Sequence, residues 1–374
     1  MNTTIFLASI GLVVAVCYIA LIRVSLKSGR EIDSVDYYFF GRNLMAAQVF
    51  GTLYAAEMSI ATVYIAFFDL APVFGLKLLT AMFTFCLGQF ILLLLIPRIK
   101  SVAEKGAPLP SALSRAYGSS AVRRAASATL TLSFAGLFAT EIIVGAQLLQ
   151  FVSPKLDLYT GGVFLISVIV VAYTVVGGYR NVVRIDKIQT IALLCVVGVI
   201  ATTAFITGGR TGFSFPMDSS DYIPPFSFLL NLLVINAAYP IVDMAAWHRI
   251  SAAKDASEGR KGFAVAILVF LLSWTALLLS AVVLTQNSGK SGAEALVASF
   301  SYLANEGPVQ SLIAGVALGG LIAALLSTGD AFLICAAQAV YYEFAPGSQP
   351  TPTIGSSAQG SNEKAEGLAR ARRI

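Results

Sequence analysis

Residues 78–96 read LLTAMFTFCLGQFILLLLI and contain no charged side chain. A helix needs roughly 20 such residues to cross the hydrocarbon core of a bilayer. Comparable runs recur, and hydropathy marks spans at 4–25, 45–70, 73–97, 125–152, 161–178, 188–208, 226–245, 263–285 and 309–340. With 57% hydrophobic residues, 12% charged residues and a mean hydropathy of +0.79, the chain is far more apolar than a soluble domain. In lipid each segment must satisfy its own backbone polar groups, so these runs predict an all-α polytopic membrane protein of about nine transmembrane helices.

Charge placement orients the bundle, because Lys and Arg gather in cytoplasmic loops. No Lys or Arg precedes the first span, and no small-residue cleavage site follows it, so it reads as a retained helix with an outside N-terminus. Of the 25 Lys and Arg residues, 21 then fall in the odd-numbered exits at 23–42, 98–124, 180–187, 249–261 and 364–373. Only Lys77, Lys155, Arg210 and Lys290 lie on the other face. The expectation is a multi-pass cell-membrane protein with a cytoplasmic C-terminal tail. The pI near 9.0 then reflects orientation in a lipid bilayer and gives no reason to invoke nucleic acid.

Chemistry is sparse. Cys17, Cys86, Cys195 and Cys335 all lie in expected spans without metal-ligand spacing and read as small packing residues. The single histidine, His248, is expected in a loop, so neither a Cys/His metal site nor a Ser/His/Asp triad can be assembled, and the chain is not expected to be an enzyme. Residues 346–362 (PGSQPTPTIGSSAQGSN) read as a flexible loop, and EKAEGLARARRI after it as a basic approach to a further span.

Intramembrane acids are costly, about 2.5–3.5 kcal/mol for Asp at a helix centre, and so face cavities or the bundle interior. The sequence offers Glu57, Glu141, Asp243 and Asp330, whereas Asp69 reads as solvated near a membrane surface. Glu141 reads as bundle-facing and structural. At helical spacing Ala324, Ser327 and Thr328 share one face. Two readings stand for the hydroxyls: bonding to their own helix backbone with tight packing, or serving a ligand. GTLYAAEMSIATVY at 51–64 favours the second, since a turn unwound around Glu57 exposes carbonyl oxygens of the kind that hold Na⁺ in broken-helix transporters. Oxygen-only ligands suit a hard cation.

Four stretches carry a resemblance: DYYFFGRNL (36–44), YTVVGGYRNVVRIDKIQ (173–189), WHRISAAKD (247–255) and ALLST (324–328). In this order they resemble motifs of the sodium:solute symporter family, whose leucine-transporter-like fold is built from two inverted five-helix repeats. The resemblance implies a transmembrane domain at 1–345, with a peripheral helix at 4–25, a first repeat at 45–208 and a partial second repeat at 224–340. The tail at 346–374 follows. The second repeat lacks its last two helices, so the chain reads as truncated or as a natural fragment.

For sodium, the resemblance implies the backbone carbonyls of Ala55, Met58 and Ala324 with the Ser327 and Thr328 hydroxyls. For substrate it implies Glu57, Ser59, Thr62 and Tyr239. Asp186 falls on the sodium exit path, with a loop carboxylate paired to Arg184 as the alternative, and Asp330 is a further intramembrane acid whose role as ligand or packing partner stays open. Pro240 is expected to interrupt the seventh span, at the position in the second repeat that corresponds to span two. The function implied is Na⁺-coupled symport of a small organic solute by alternating access. An amino acid or organic acid is favoured, because Thr62 replaces the Gln of sugar-transporting relatives. The alternatives are the membrane module of a transporter-like sensor kinase and a fragment that does not transport.

Overall fold

A computed structural model describes residues 3–27, 38–103, 109–152, 157–212 and 226–344. The 346–374 tail, and positions 36 and 37 of the first motif, lie outside the described residues. The described chain is helical, with one isolated bridge between Leu44 and Ala253. Its helices are α1 Thr3–Lys27, α2 Ala46–Glu57, α3 Ala66–Phe74, α4 Leu79–Ala103, α5 Leu109–Tyr117 and α6 Ser120–Val152. They continue as α7 Leu158–Thr211, α8 Phe226–Val242, α9 Met244–Ala252, α10 Ala256–Ser288, α11 Gly292–Ala304 and α12 Pro308–Phe344.

Among the described residues, seven segments are long and apolar enough to cross a membrane: Ile60–Val102, Ser120–Val152, Leu158–Val176, Gly178–Thr211, Leu230–Ala252, Ala256–Ser288 and Pro308–Tyr341. The first of these joins the second half of expected span two to span three, and α1 has only a shorter apolar stretch, Thr4–Val16. All nine expected spans nonetheless fall on helices, and the chain is a multi-pass helical membrane protein.

Helix α12 forms the spine, packed against α1, α6 and α7. Helix α10 lies across α2, α4 and α7, and α4 pairs with α8. The ends of α10 follow local chemistry. The Asp255 carboxylate accepts the Glu258 N–H at 2.9 Å as N-cap, and Gly289 closes the other end in a left-handed conformation.

Three expectations are corrected. The stretch 180–187, read as a loop from its charges, is helical within α7. Gly178 (φ 55°) bends the helix just before it. Arg184 and Lys187 are exposed on one face, while Tyr179, Val182, Val183 and Asp186 are buried on the other. His248 is buried in α9, its ring tilted against that of Tyr179 at 4.2 Å between ring centroids. Pro240 sits inside α8 and the chain breaks instead at Asp243, whose carboxylate accepts the N–H groups of Ala245 (3.0 Å) and Ala246 (2.8 Å) and starts α9.

One end of the bundle is latched. Leu44 N–H donates to Ala252 O at 3.0 Å and Lys254 N–H to Leu44 O at 2.9 Å, tying the start of α2 to the end of α9. The Glu258 carboxylate accepts the Ala46 N–H at 2.8 Å. Buried Lys100 donates to Ser251 O at 3.1 Å and also to Ala253 O.

Candidate functional site

Two interrupted helices and the middle of α12 meet in the core. After α2 ends at Glu57, Met58 and Ser59 leave helical geometry, and a π-helical turn, Ile60–Ile65, leads into α3. The Ser59 side chain redirects the backbone: Thr62 N–H donates to Ser59 Oγ at 2.8 Å rather than to the Met58 carbonyl four residues back. The Ser59 carbonyl accepts from Val63 (3.1 Å) and Tyr64 (3.3 Å). Carbonyls at the break are thereby released from the helical ladder.

The Ala55 carbonyl meets α12, where Ser327 Oγ lies 2.9 Å from Ala55 O and 2.8 Å from Ala324 O. Both hydroxyl residues of the pair are buried. The Thr328 hydroxyl has no hydrogen-bond partner among the described residues. Such an orphan inside a bundle costs about 1–3 kcal/mol unless something binds it. Ser327 Oγ and the carbonyls of Ala55 and Ala324 thus converge, with the buried Thr328 hydroxyl on the next residue of α12, and oxygen donors of this kind suit a small hard cation.

Asp186 on α7 is fully buried, and neither carboxylate oxygen finds a hydrogen bond among the described residues. It lies within electrostatic reach of Asp330 and Arg249. Arg184 is exposed, so the expected alternative pairing between Arg184 and Asp186 is not formed. Beside Asp186, Thr190 Oγ1 lies 2.8 Å from Gly51 O, and Gln189 Nε2 donates to Ala323 O at 3.0 Å. This stretch of α7 therefore bridges α2 and α12. Asp330 is buried on α12.

A cavity of about 330 Å³ opens beside the break, lined by Glu57, Ser59, Thr62, Tyr239 and Trp274 among others. All four expected substrate residues face it. Phe85 stacks on Trp274 at 4.8 Å, Tyr239 stands 6.4 Å from Phe85, and Trp274 Nε1 donates to Met58 Sδ at 3.1 Å. A larger pocket of about 500 Å³ lies near the ends of α7 and α10 beside α11, and it contains none of the residues at the break.

Sequence reasoning missed the partner of Glu141. From α6 its buried carboxylate accepts the hydroxyl hydrogen of Ser59, and the N–H groups of Ile60 and Ala61 lie beside the same carboxylate. Only the Ser59 contact has hydrogen-bond geometry, for Glu141 Oε2 has no such partner among the described residues. The acid stands at the positive end of the helix that restarts after the break.

Neither a family model nor a curated protein matches the chain. Among solved structures, a Na⁺-coupled sialic acid symporter in a substrate-bound outward-open state superposes with a TM-score of 0.70. It is 16% identical, and the match covers 98% of this chain and 79% of that one. At this identity the likeness establishes the fold alone: the chain shares the helical fold of that protein.

Proposed function

We propose that this protein is a Na⁺-coupled secondary symporter that moves a small organic solute by alternating access. The observation that carries the reading is the meeting of the broken helix with α12. Ser327 Oγ touches the Ala55 and Ala324 carbonyls, and the Thr328 hydroxyl on the next residue is buried without a partner among the described residues. On this reading Na⁺ is held by the carbonyls of Ala55, Met58 and Ala324 and by both hydroxyls. The hydroxyl lone pairs remain available while the Ser327 hydrogen serves a carbonyl.

The latch joining the start of α2 to α9 and α10 supplies an inner gate. Its bonds from Leu44, Lys100 and Glu258 must break for that end to open. Sodium and solute couple because each favours one arrangement of the bundle through differential affinity. Asp186, buried and short of hydrogen bonds, lies on the route by which the ion leaves. The solute occupies the cavity at Glu57, Ser59, Thr62 and Tyr239. The replacement at Thr62 favours an amino acid or organic acid over a sugar, and the neighbour's own solute is not carried over.

Reconstitution into liposomes tests the reading. Radiolabelled solutes are screened under an inward Na⁺ gradient and under an equal K⁺ gradient. Accumulation that needs Na⁺ supports symport, whereas equal accumulation with K⁺ for every transported solute contradicts it.

A further inference from the structure

The 330 Å³ cavity has a size suited to a small-molecule ligand, and its chemistry is one-sided. Among the described residues no Lys, Arg or His lines it, and the one carboxylate residue on its wall is Glu57. Among the described residues no hydrogen bond or ion pair within 4 Å engages the Glu57 carboxylate. Arg249 is within electrostatic reach, but the same guanidinium also faces Asp186 and Asp243. Its Nη1 donates to Ala245 O, 2.9 Å away on its own helix. One buried guanidinium thus lies within electrostatic reach of three acids, Glu57, Asp186 and Asp243.

An anionic ligand would need a substitute for a basic side chain. In broken-helix transporters that substitute is the positive end of a half-helix, whose free amides receive a carboxylate. Here the position is already filled: the Glu141 carboxylate takes the Ser59 hydroxyl and lies against the amides of Ile60 and Ala61. The next amide, Thr62 N–H, is held by Ser59 Oγ at 2.8 Å. The protein's own acid therefore occupies the place of a ligand carboxylate. The same cavity is lined by the rings of Phe67, Phe85, Tyr239 and Trp274, a side-chain type whose electron-rich faces attract cations.

We propose that the solute is a small organic cation, a primary amine or quaternary ammonium compound, whose charged group pairs with Glu57 among these rings. The inference rests on the reading of this cavity as the solute site. It keeps the small organic solute of that reading but replaces the amino acid or organic acid favoured by Thr62 with an organic cation. An amino acid would leave its carboxylate without a counter-ion here.

The test is a fluorescence titration of the purified full chain in Na⁺ buffer, reporting through Trp274 in the cavity wall. The probes are tetramethylammonium and propylammonium, with uncharged tert-butanol and anionic pivalate as matched controls. The expected result is saturable quenching by at least one of the two cations, with affinity at least about tenfold above both controls and a loss of about tenfold in Glu57→Gln. Pivalate or tert-butanol binding as tightly as the better cation overturns the inference, as does absence of saturable binding by both cations. Because the comparison among probes is made on the parent protein, poor folding of the variant does not remove the test. A Glu57→Gln variant that changes Na⁺ dependence but not cation affinity also overturns it. Cation binding without Na⁺-driven uptake leaves this inference standing and sinks the symport reading. Na⁺-driven uptake of an anion by a protein that binds neither cation does the reverse.

Discussion

Ser327 on α12 reaches the Ala55 carbonyl on α2 at 2.9 Å, across 272 positions of sequence. The bond closes the backbone break against the spine of the bundle and places α12 hydroxyls beside released carbonyls. The two hydroxyls differ, since Ser327 has partners and Thr328 has none among the described residues. Ser327→Ala is expected to lower stability by about 0.5–1.5 kcal/mol, the usual net worth of a hydrogen bond. Thr328→Val keeps the shape and removes an orphaned hydroxyl, so its stability is expected to stay level or rise. Thermal unfolding in detergent without Na⁺ separates them, and equal losses in both would contradict the assignment.

Glu141 holds the restart of the broken helix. Glu141→Ala strands the Ser59 hydroxyl, for an expected loss of about 1–3 kcal/mol. Glu141→Gln keeps an acceptor oxygen and is expected to lose less. Thermal unfolding of the pair checks the order, and an alanine variant as stable as the parent would show that the break stands without this contact.

At Gly88 the backbone of α4 comes close to that of α8. A Cβ there would lie 2.6 Å from Asn236 O and 2.8 Å from Ala237 O, both backbone atoms that cannot swing aside. Gly88→Ala is expected to cost about 1–3 kcal/mol through overpacking. An unfolding midpoint equal to that of the parent would mean that the two helices separate freely.

The span positions were legible because a bilayer imposes length and hydropathy, and the break at Met58–Ser59 because GTLYAAEMSIATVY mixes small and hydroxyl residues with an acid. Other features hid for definable reasons. The role of Glu141 depends on Ser59, 82 positions away, and nothing local announces that pairing. Helix α11 is only 13 residues long, too short for a span-length window to find. The break after α8 was placed at Pro240, since proline normally ends helices. There α8 runs on past Pro240, and Asp243 with its two capped amides sets the restart. The charges at 180–187 suggested a loop, but a helix accommodates them by keeping Arg184 and Lys187 on its exposed face.

The orientation read from charge has its own check. Lys254 is exposed at the latched end, expected to be cytoplasmic. With the four native cysteines replaced, Lys254→Cys is expected to resist an impermeant thiol reagent in right-side-out vesicles and to react after permeabilisation. Full labelling of sealed vesicles would invert the topology.

Sodium binding itself is the most direct measurement. Purified protein is titrated with radioactive sodium, beside Thr328→Val, which keeps the volume of the side chain while deleting one proposed ligand. Saturable binding by the parent, competed by unlabelled Na⁺ but not by K⁺ and weakened about tenfold or more in the variant, is the expected result. Binding that K⁺ displaces equally well, or that the variant retains at full affinity, would contradict a sodium site at the meeting of α2 and α12.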